Sequence, residues 1–280
     1  MTEWMKPGCC AVITGGANGI GLAAAKAYAA AGMSVVIADK DEAALANAQD
    51  QLGAADILAV PCDVSDLASV EDLRDRAFDR FGSVHCLMNN AGVALPAGAP
   101  WESRDALDTI LNVNLMGVIN GCQAFIPAML DSGVAGAIIN TGSKQGITRP
   151  PGNFAYNLSK AGVVAYTESV AHALRQIDGG GLTAHLLVPG FVYSAMVSRF
   201  LPEKPDGAWT VEETVDFMLA ALQRGDFYIL CPDNETPRAV DEKRIRWNAD
   251  DIVQNRPALS RWHPDYADEF AAFMKDETDQ

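Results

Sequence analysis

Three side chains in the middle of the chain could together transfer a proton to a bound oxygen atom. Tyr156 and Lys160 are four residues apart, which places both side chains on one face of a helix, about 6 Å apart along its axis. A phenol has a reference pKa of about 10, and a neighbouring ammonium group favours the phenolate and lowers that pKa. Ser143 follows the apolar, strand-like run 137–141, so a loop can fold its hydroxyl back towards the phenol. These residue types predict acid–base chemistry on a carbonyl oxygen, although the Tyr–Lys spacing alone also occurs in helices without a catalytic role.

A glycine-rich turn near the N-terminus predicts a phosphate-binding site. The continuous apolar run 9–13 predicts a strand covered on both faces, and the Ala-rich segment 22–31 predicts a helix. The turn between them, 14–21, contains four glycines, which permit a tight bend and close approach of the backbone to a ligand. The start of the helix adds free N–H groups and a positive dipole end. Asp39 ends the second strand-like run, where a carboxylate suits the ribose diol of a dinucleotide and repels a 2′-phosphate.

Strand-like and helical segments alternate along most of the chain. Further strands are predicted at 34–38, 57–61, 84–88, 182–188 and 227–231. Helices are predicted at 41–52, 66–81, 104–130 and 210–222, the third of them with a bend near Gly117 or Gly121. Such alternation is typical of proteins with a parallel sheet. The sequence therefore predicts an α/β fold, with a Rossmann-like doubly wound parallel sheet in a single domain and a C-terminal extension.

Polar residues stand at the ends of several predicted strands. Asp63 could approach an adenine amino group or cap the next helix, although Ser65 is better placed for capping. The stretch 89–92 has two amides and a glycine, which could tie strand ends together beside a cofactor or form a plain turn. Asn114 lies among apolar residues, where its amide needs hydrogen-bond partners. It is either a structural bridge or the holder of a water near the active site.

Composition and charge exclude several classes of partner. The chain has 280 residues, 49% of them hydrophobic, and a formal net charge of -15, which argues against nucleic acid and against an anionic membrane surface. No apolar run approaches the roughly 18 residues of a membrane span, and the first residues do not resemble a signal peptide. Six cysteines without a Cys-x-x-Cys pair predict buried free thiols rather than disulfides or metal ligands. These features predict a cytoplasmic protein without a metal.

Taken together, the motifs resemble the short-chain dehydrogenase/reductase family, in its single-domain branch. The matching residues occur in the family's order between about residues 9 and 194. They are Thr14, Gly15, Gly19, Gly21, Asp39, Asp63, Asn89, Asn90, Ala91, Gly92, Asn114, Ser143, Tyr156, Lys160, Pro189 and Gly190. The strand predicted at 227–231 extends the match.

The resemblance implies a role for each of four catalytic residues. Tyr156 would exchange the proton with the substrate oxygen, and Ser143 would orient and stabilise that oxygen. Lys160 would lower the pKa of the tyrosine and hold the nicotinamide ribose. Asn114 would keep a proton-relay water in place.

The resemblance also implies a set of cofactor contacts. The residues concerned are Gly15, Asn18, Gly19, Ile20, Gly21, Asp39, Asp63, Val64, Asn90, Ala91, Gly92, Tyr156, Lys160, Pro189, Gly190, Val192 and Ser194. The turn has no basic residue at Ala17 or Asn18, where a member that prefers NADP would be expected to have one. With Asp39 this favours NAD, although Lys40 could meet a 2′-phosphate and leaves NADP as the less favoured cofactor.

The activity implied is NAD-dependent interconversion of a secondary alcohol and a ketone. Apolar and aromatic residues predict a hydrophobic or aromatic substrate, within a pocket formed by Gln145, Phe154, Phe191, Met196 and Phe200. Residues 194–209 are either a substrate lid, as in the family, or an ordinary packed loop. The alternatives are a non-catalytic dinucleotide-sensing protein on the same fold and an NADP-dependent ketoreductase. An epimerase or dehydratase of the longer branch would have another glycine spacing and a large substrate domain.

The last residues form an extension that is long for the family. We predict a Rossmann-fold dehydrogenase domain at 1–232 and an extension at 233–280 that packs on the body or on a neighbouring subunit. Trp247 and Trp262 are the predicted anchors, and a final helix is predicted at 266–274. The family also implies a homodimer or homotetramer. A disordered extension is the alternative.

Overall fold

A parallel sheet runs through the centre of the molecule, for which the computed structural model describes residues 4–53, 56–198 and 201–276. Within these ranges the sheet has seven strands in the order β3-β2-β1-β4-β5-β6-β7. The strands are β1 Cys10–Thr14, β2 Ser34–Asp39, β3 Ile57–Pro61, β4 Cys86–Asn89, β5 Gly136–Thr141, β6 Leu182–Val188 and β7 Tyr228–Leu230. The direction of winding reverses between β1 and β4, and a ligand binds at the carboxyl ends of strands beside such a reversal.

Helices connect successive strands and cover both faces of the sheet. They are α1 Gly19–Ala30, α2 Glu42–Leu52, α3 Leu67–Phe81, α4 Arg104–Leu111, α5 Gly117–Asp131, α6 Lys144–Thr148, α7 Phe154–Leu174, α8 Ala195–Ser198, α9 Val211–Arg224, α10 Arg238–Val253 and α11 Ala267–Lys275. A π-helical turn, Asn112–Met116, joins α4 to α5, and 3₁₀ turns lie at Ser260–Trp262 and Pro264–Tyr266. The predicted Rossmann-like, doubly wound α/β domain is confirmed.

The core consists of two apolar layers, one on each face of the sheet. Helices α1, α2 and α9 pack on one face, where Ala24 and Met218 are fully buried. Helices α3, α5 and α7 pack on the other face, around Leu73 and Phe125. The central strands are buried on both faces, which explains their continuous apolar sequences.

All six cysteines lie within the described residues, and each is a buried free thiol, as predicted. Five of them lie in a strand or directly beside one, and Cys122 lies in helix α5. Burial raises the pKa of Cys10, Cys86, Cys122 and Cys231 to about 12, so these side chains are protonated at neutral pH.

The run Arg104–Asp131 is the one described helix that is long and apolar enough to cross a membrane by length and composition. Half of its most apolar window is buried inside the protein. Its residues Val118, Cys122 and Phe125 belong to the core. Its apolar character is therefore that of a core helix.

Two segments differ from the prediction made for their secondary structure. The loop predicted after Ser143 contains the short helix α6. The predicted bend of the long helix at Gly117 or Gly121 is a π-helical turn that lies just before Gly117. Asn114, at the centre of this turn, is fully buried.

The described part of the C-terminal extension is folded and contacts the body. Helix α10 lies against α6, where Asn248 Nδ2 donates a hydrogen bond to the carbonyl oxygen of Ile147 at 3.3 Å. Trp247 is 2% exposed and packs against Phe270 and Phe273 of α11. Trp262 remains 38% exposed and is therefore not a buried anchor within this chain. The division at residue 232 and the extension's role remain predictions.

Candidate active site

The structure brings Ser143, Tyr156 and Lys160 together beyond the carboxyl end of β5. Ser143 caps the start of α6, where its Oγ accepts a hydrogen bond from Gln145 N at 3.2 Å. Asn153 caps α7 through a bond from Tyr156 N at 3.1 Å, and this cap fixes the first turn of α7, which contains Tyr156. The Lys160 ammonium lies 5.8 Å from the centre of the Tyr156 ring. The predicted constellation is thus assembled by two helix starts.

Burial shifts the pKa values of the tyrosine and the lysine in opposite directions. Burial raises the pKa of Tyr156, and a hydrogen bond from Ser143 partly opposes this shift. Burial also lowers the pKa of Lys160 to about 8, because its ammonium has lost most of its hydration. Lys160 Nζ donates a hydrogen bond to the carbonyl oxygen of Thr141 at 2.7 Å. The raised tyrosine pKa is opposite in direction to the one that the Tyr–Lys spacing predicts.

Asn114 is held by three hydrogen bonds of its own amide. Its Oδ1 accepts from Val93 N at 2.7 Å, and its Nδ2 donates to Val93 O at 2.9 Å and to Ser159 Oγ at 3.2 Å. The side chain therefore acts as the structural bridge that was one of its two predicted roles. A Cβ at Gly92 would lie 3.4 Å from Asn114 Oδ1 and 3.8 Å from Lys160 Nζ. The glycine leaves space at a point that both polar atoms face.

The glycines of the N-terminal turn are required by close contacts. A Cβ at Gly21 would lie 2.1 Å from the carbonyl oxygen of Gly15. A Cβ at Gly15, where φ is +62°, would lie 2.8 Å from Ala91 Cα. Gly19 also has a positive φ, but the nearest atom to its Cβ position is Ser194 Cβ at 3.5 Å. Gly15 and Gly21 thus pack the turn, whereas Gly19 has space on its open side.

Asn90 joins the glycine turn to the end of β4. Its Nδ2 donates to the carbonyl oxygens of Thr14 and Gly15, both at 3.2 Å. In return, Thr14 Oγ1 accepts from the backbone N–H groups of Asn90 and Ala91 at 3.0 and 3.2 Å. These four hydrogen bonds hold the glycine turn against the end of β4, at the point where the direction of winding reverses.

Asp39 lies at the end of β2 and faces the glycine turn. Its Oδ2 accepts a hydrogen bond from Ala17 N at 3.3 Å, and its Oδ1 accepts from Asp41 N at 3.2 Å. Helix α1 begins after Asn18, whose side chain makes no capping hydrogen bond, and its first turn, including Ile20, has no acidic residue. A carboxylate at the turn's rim and an uncapped helix start fit an adenosine ribose and a diphosphate.

Lys40 is paired with Asp63 rather than directed towards the Asp39 site. The Lys40 Nζ lies 2.5 Å from Asp63 Oδ2, and the pair raises the pKa of the lysine and lowers that of the carboxyl group. Asp63 also accepts hydrogen bonds from the backbone and hydroxyl of Ser65. The next residue, Val64, is buried, and its carbonyl oxygen accepts from Asn120 Nδ2 at 2.9 Å. Helix α3 is capped by Asp66, and not by Asp63 or Ser65.

The segment after β6 is held from two sides. Val192 is buried and pairs with Trp209 in an isolated β-bridge, while Tyr193 N donates to Trp209 O at 2.8 Å. The carbonyl oxygen of Pro189 accepts a bond from Lys144 N at 3.4 Å. The predicted lid, 194–209, is therefore attached at both of its ends.

The predicted pocket residues that the structure describes lie in three different environments. Gln145 is exposed on α6, whereas Phe154 packs on a small cluster around Ile110. Phe191 and Met196 are partly buried, before and within the predicted lid. Phe200 lies outside the described residues.

Sequence reasoning missed four residues that contact the site. Thr141 accepts the hydrogen bond of Lys160, and Lys144, next to Ser143, forms ion pairs with Asp233 and Asp241. The position of Asp233 shortly after β7 was the available signal, because polar residues at strand ends converge on one edge of a parallel sheet.

The parallel sheet, with its reversal between β1 and β4, defines a fold of the Rossmann type. Comparison with known proteins gives the family, since residues 9–205 match the family model described as short chain dehydrogenase. The chain belongs to the short-chain dehydrogenase/reductase family, and it is an oxidoreductase of that family.

Three individual comparisons support this assignment. The chain is 34% identical over 245 residues to 1-deoxy-11-beta-hydroxypentalenate dehydrogenase of Streptomyces avermitilis, covering 85% of this chain and 89% of the relative. It is 33% identical over 214 residues to galactitol 2-dehydrogenase (L-tagatose-forming) of Cereibacter sphaeroides, covering 73% and 79%. A short-chain dehydrogenase/reductase from Burkholderia phymatum, solved in complex with NAD, superimposes with a TM-score of 0.82 at 34% identity, covering 91% of this chain and 97% of that one.

Proposed function

We propose that this protein is an NAD-dependent oxidoreductase that interconverts a secondary alcohol and a ketone, with Tyr156 as general acid and base. One observation carries the proposal. Ser143, Tyr156 and the buried Lys160 converge at the carboxyl edge of the sheet, on the same edge as the glycine turn. Short-chain relatives named as dehydrogenases of a hydroxypentalenate and of galactitol support an alcohol as the reduced substrate.

The residues of the turn fit NAD. At Gly19 a side chain would extend into space bounded by Ser194 Cβ, so its absence allows a diphosphate to approach the start of α1. Asp39 would bind the adenosine ribose diol. The two ribose groups of the cofactor, in its adenosine and nicotinamide halves, would lie beside Asn90, Ala91 and Gly92. The adenine would lie near Asp63 and Val64.

The proposed chemistry divides between the cofactor and the protein. When bound, the nicotinamide supplies or accepts the hydride at C4. Tyr156 donates a proton to the ketone oxygen during reduction and removes the alcohol proton during oxidation. Ser143 Oγ donates a hydrogen bond to the same oxygen and orients it. Lys160 stabilises the phenolate by its charge and contributes to binding of the nicotinamide ribose.

We further propose that the space beside Gly92 holds the relay water. Asn114 Oδ1 and Lys160 Nζ both face this space, so a water there would have an acceptor and a donor. It would return the proton of Tyr156 to solvent through Lys160. Because the Asn114 amide already has three partners, its second contribution is to hold residue 93 and the π-helical turn in place.

The ion pair of Lys40 with Asp63 supports NAD over NADP. A free Lys40 beside Asp39 would attract a 2′-phosphate, whereas the paired lysine is directed towards the end of β3. An NADP-dependent ketoreductase is the alternative if this pair opens on binding. A non-catalytic dinucleotide sensor is the other alternative, and the complete set of Ser143, Tyr156 and Lys160 argues against it.

The partly buried Phe191 and Met196 support a hydrophobic or aromatic substrate.

We also propose that the protein is a cytoplasmic homodimer or homotetramer, without a nucleic acid or membrane partner. Size-exclusion chromatography with light scattering would test the oligomeric state, and a monomer would contradict it.

The function is tested by a screen of secondary alcohols with NAD and of ketones with NADH, followed by NADH absorbance. We expect turnover of at least one apolar or aromatic compound, and little with NADP or NADPH. Tight binding of NADH without turnover of any compound would favour the dinucleotide sensor. Equal rates with both cofactors would favour the NADP-dependent alternative.

A further inference from the structure

Lys144 lies in a buried cluster of charges that the proposed chemistry does not use. Its Nζ is 3.0 Å from Asp233 Oδ2 and 2.6 Å from Asp241 Oδ2. The two carboxylate side chains are 7% and 6% exposed, and that of Lys144 is 16% exposed. The contact with Asp241 is an ion pair rather than a well-aligned hydrogen bond. Buried charges are costly to desolvate, so a cluster of three requires a reason other than stability.

The cluster connects the helix after Ser143 with two carboxylates at the start of the C-terminal extension. Lys144 is the first residue of α6 and directly follows Ser143, whose Oγ caps that helix. Asp233 accepts a second hydrogen bond, from Phe191 N at 3.2 Å, in the segment after β6. Asp241 lies in the first turn of α10, within the C-terminal extension. The Lys144 ammonium therefore joins α6 to the extension, and Asp233 extends this connection to the segment after β6.

The backbone is shaped to admit this cluster. A Cβ at Gly190 would lie 2.7 Å from Asp233 Oδ2 and 3.0 Å from Lys144 Nζ. The glycine of the Pro189-Gly190 pair thus leaves room for the ion pair as well as for a tight turn. Lys144 N also donates to the carbonyl oxygen of Pro189 at 3.4 Å, so both ends of the lysine contact this segment.

Both carboxyl groups of the cluster are affected by burial, but their pKa values shift in opposite directions. Burial acts to raise the pKa of Asp233, but hydrogen bonds from Lys144 and Phe191 N bring it below its ordinary value. Burial raises the pKa of Asp241, and the charges of Lys144 and Arg244 oppose that shift. Lys144 thus forms ion pairs with both carboxylates.

We propose that Lys144, Asp233 and Asp241 form a positioning centre through which the C-terminal extension fixes the orientation of Ser143 and of the segment 189–192. The inference rests on the proposed function, in which Ser143 orients the substrate oxygen. Lys144 and Asp241 touch neither substrate nor cofactor. They act by holding α6 between the sheet and α10, so that the hydroxyl of Ser143 stays directed at Tyr156.

The test uses Lys144→Met, Asp241→Asn and the double variant, with Asp251→Asn as the matched control. Asp251 forms a buried ion pair with Arg256, at 3.1 Å, that lies entirely within the extension. All four proteins are compared by hydrogen–deuterium exchange of the full-length chain. The reporting amides are those of 142–149 and 189–194, where the N–H groups of Gly142, Gln145, Gly146 and Phe191 donate hydrogen bonds.

We expect exchange in 142–149 to become about tenfold faster in Lys144→Met and in Asp241→Asn. Of the two single variants, only Lys144→Met should also show faster exchange in 189–194, because Asp233 loses its ion-pair partner in that variant. The double variant should exchange no faster than Lys144→Met, since the two residues act through one ion pair. Asp251→Asn should accelerate exchange only around 247–262. Wild-type protection of 142–149 in both single variants would overturn the proposal, and so would equal acceleration in the control.

Kinetics provide a second readout with a substrate from the screen. Asp241→Asn should lower kcat by roughly 10- to 100-fold, with the Kd for NADH within about threefold of the wild-type value. A kcat unchanged from the wild type, or a loss equal to that of Asp251→Asn, would overturn the proposal. If the wild type turns over no compound, the proposed function fails while the exchange measurement still decides the positioning role.

Discussion

The Lys160 ammonium donates its hydrogen bond to the carbonyl oxygen of Thr141 at 2.7 Å and lies over the ring of Tyr156, 5.8 Å from its centre. The lysine is thereby oriented by a neutral group and not by a carboxylate. Its charge remains available to a phenolate, although burial lowers its pKa to about 8. The proton therefore resides on Tyr156 at neutral pH, because burial raises the pKa of the phenol.

This arrangement predicts opposite pH dependence for the two directions of the reaction. Ketone reduction needs the protonated phenol, which is present below the tyrosine pKa, so its kcat/KM should be flat near neutral pH and fall in alkali. Alcohol oxidation needs the phenolate, so its kcat/KM should rise by up to about tenfold per pH unit. Initial rates in both directions, with NADH binding at each pH as the control for folding, would check this. A flat oxidation profile from acid to alkali would contradict it.

Tyr156→Phe should abolish turnover while the protein still binds cofactor. General acid–base catalysis is worth about 10²–10⁴-fold, so kcat should fall by that factor, and the Kd for NADH should stay within a few-fold. Tyr166→Phe is the matched control, because it removes a phenol hydroxyl from the same helix, where Tyr166 packs on the core. Retention of more than about a tenth of the wild-type rate in Tyr156→Phe would refute its assignment as the proton carrier.

Asp63→Ala should relax cofactor choice by releasing Lys40. The lysine would then be free to approach a 2′-phosphate beside Asp39, so the ratio of kcat/KM for NAD to that for NADP should fall several-fold. Asp39→Ala should narrow the same ratio by removing the repulsive carboxylate. Asp66→Ala is the control, since it loses a helix cap on the same side of the sheet without touching Lys40. An unchanged ratio in Asp63→Ala would show that Lys40 has no part in cofactor choice.

Local patterns in the sequence predict most of the elements that form the sheet. The strands Ile57–Pro61 and Leu182–Val188 have the predicted bounds, because each is a largely apolar run of strand length. The tight turn at 14–21 was predicted from its glycines. Gly21 contacts Gly15 within this turn, and Gly15 contacts Ala91 in the neighbouring turn after β4. Helix α10 was not predicted, because its charged residues are not confined to one face and its position depends on Asp241 and Trp247.

Features that depend on contacts between residues distant in the chain could not be predicted from the sequence. Lys144 and Asp233 are 89 residues apart, and although the position of Asp233 shortly after β7 places it at the carboxyl edge of the sheet, it does not identify Lys144 as its partner. The tyrosine pKa illustrates the same limit, because the spacing to Lys160 indicates a charged neighbour but gives no measure of burial. Burial is set by the whole fold, and here it raises the pKa of the phenol although a hydrogen bond from Ser143 opposes the shift.

The two tryptophans of the extension should differ in their contribution to stability. Trp247 is 2% exposed, donates to Ser260 Oγ at 2.8 Å and stacks with Arg256 at 3.8 Å, so Trp247→Ala should cost about 3–5 kcal/mol. Trp262 is 38% exposed, and Trp262→Ala should cost less than about 1 kcal/mol. Urea unfolding of the two variants, at one protein concentration, would measure the difference. A larger cost at Trp262 would indicate that a partner subunit covers this side chain.

The six cysteine side chains are buried, so thiol reagents reach them only after the protein opens. Covalent labelling therefore measures the fraction of opened molecules, and each cysteine reports on the element in or beside which it lies. Cys62 and Cys231 follow β3 and β7, the two edge strands, whereas Cys10 and Cys86 lie in the paired central strands. Pulse labelling followed by peptide mass analysis should modify the two edge cysteines first. The native cysteines thus serve as built-in probes of the order in which the strands of the sheet unfold.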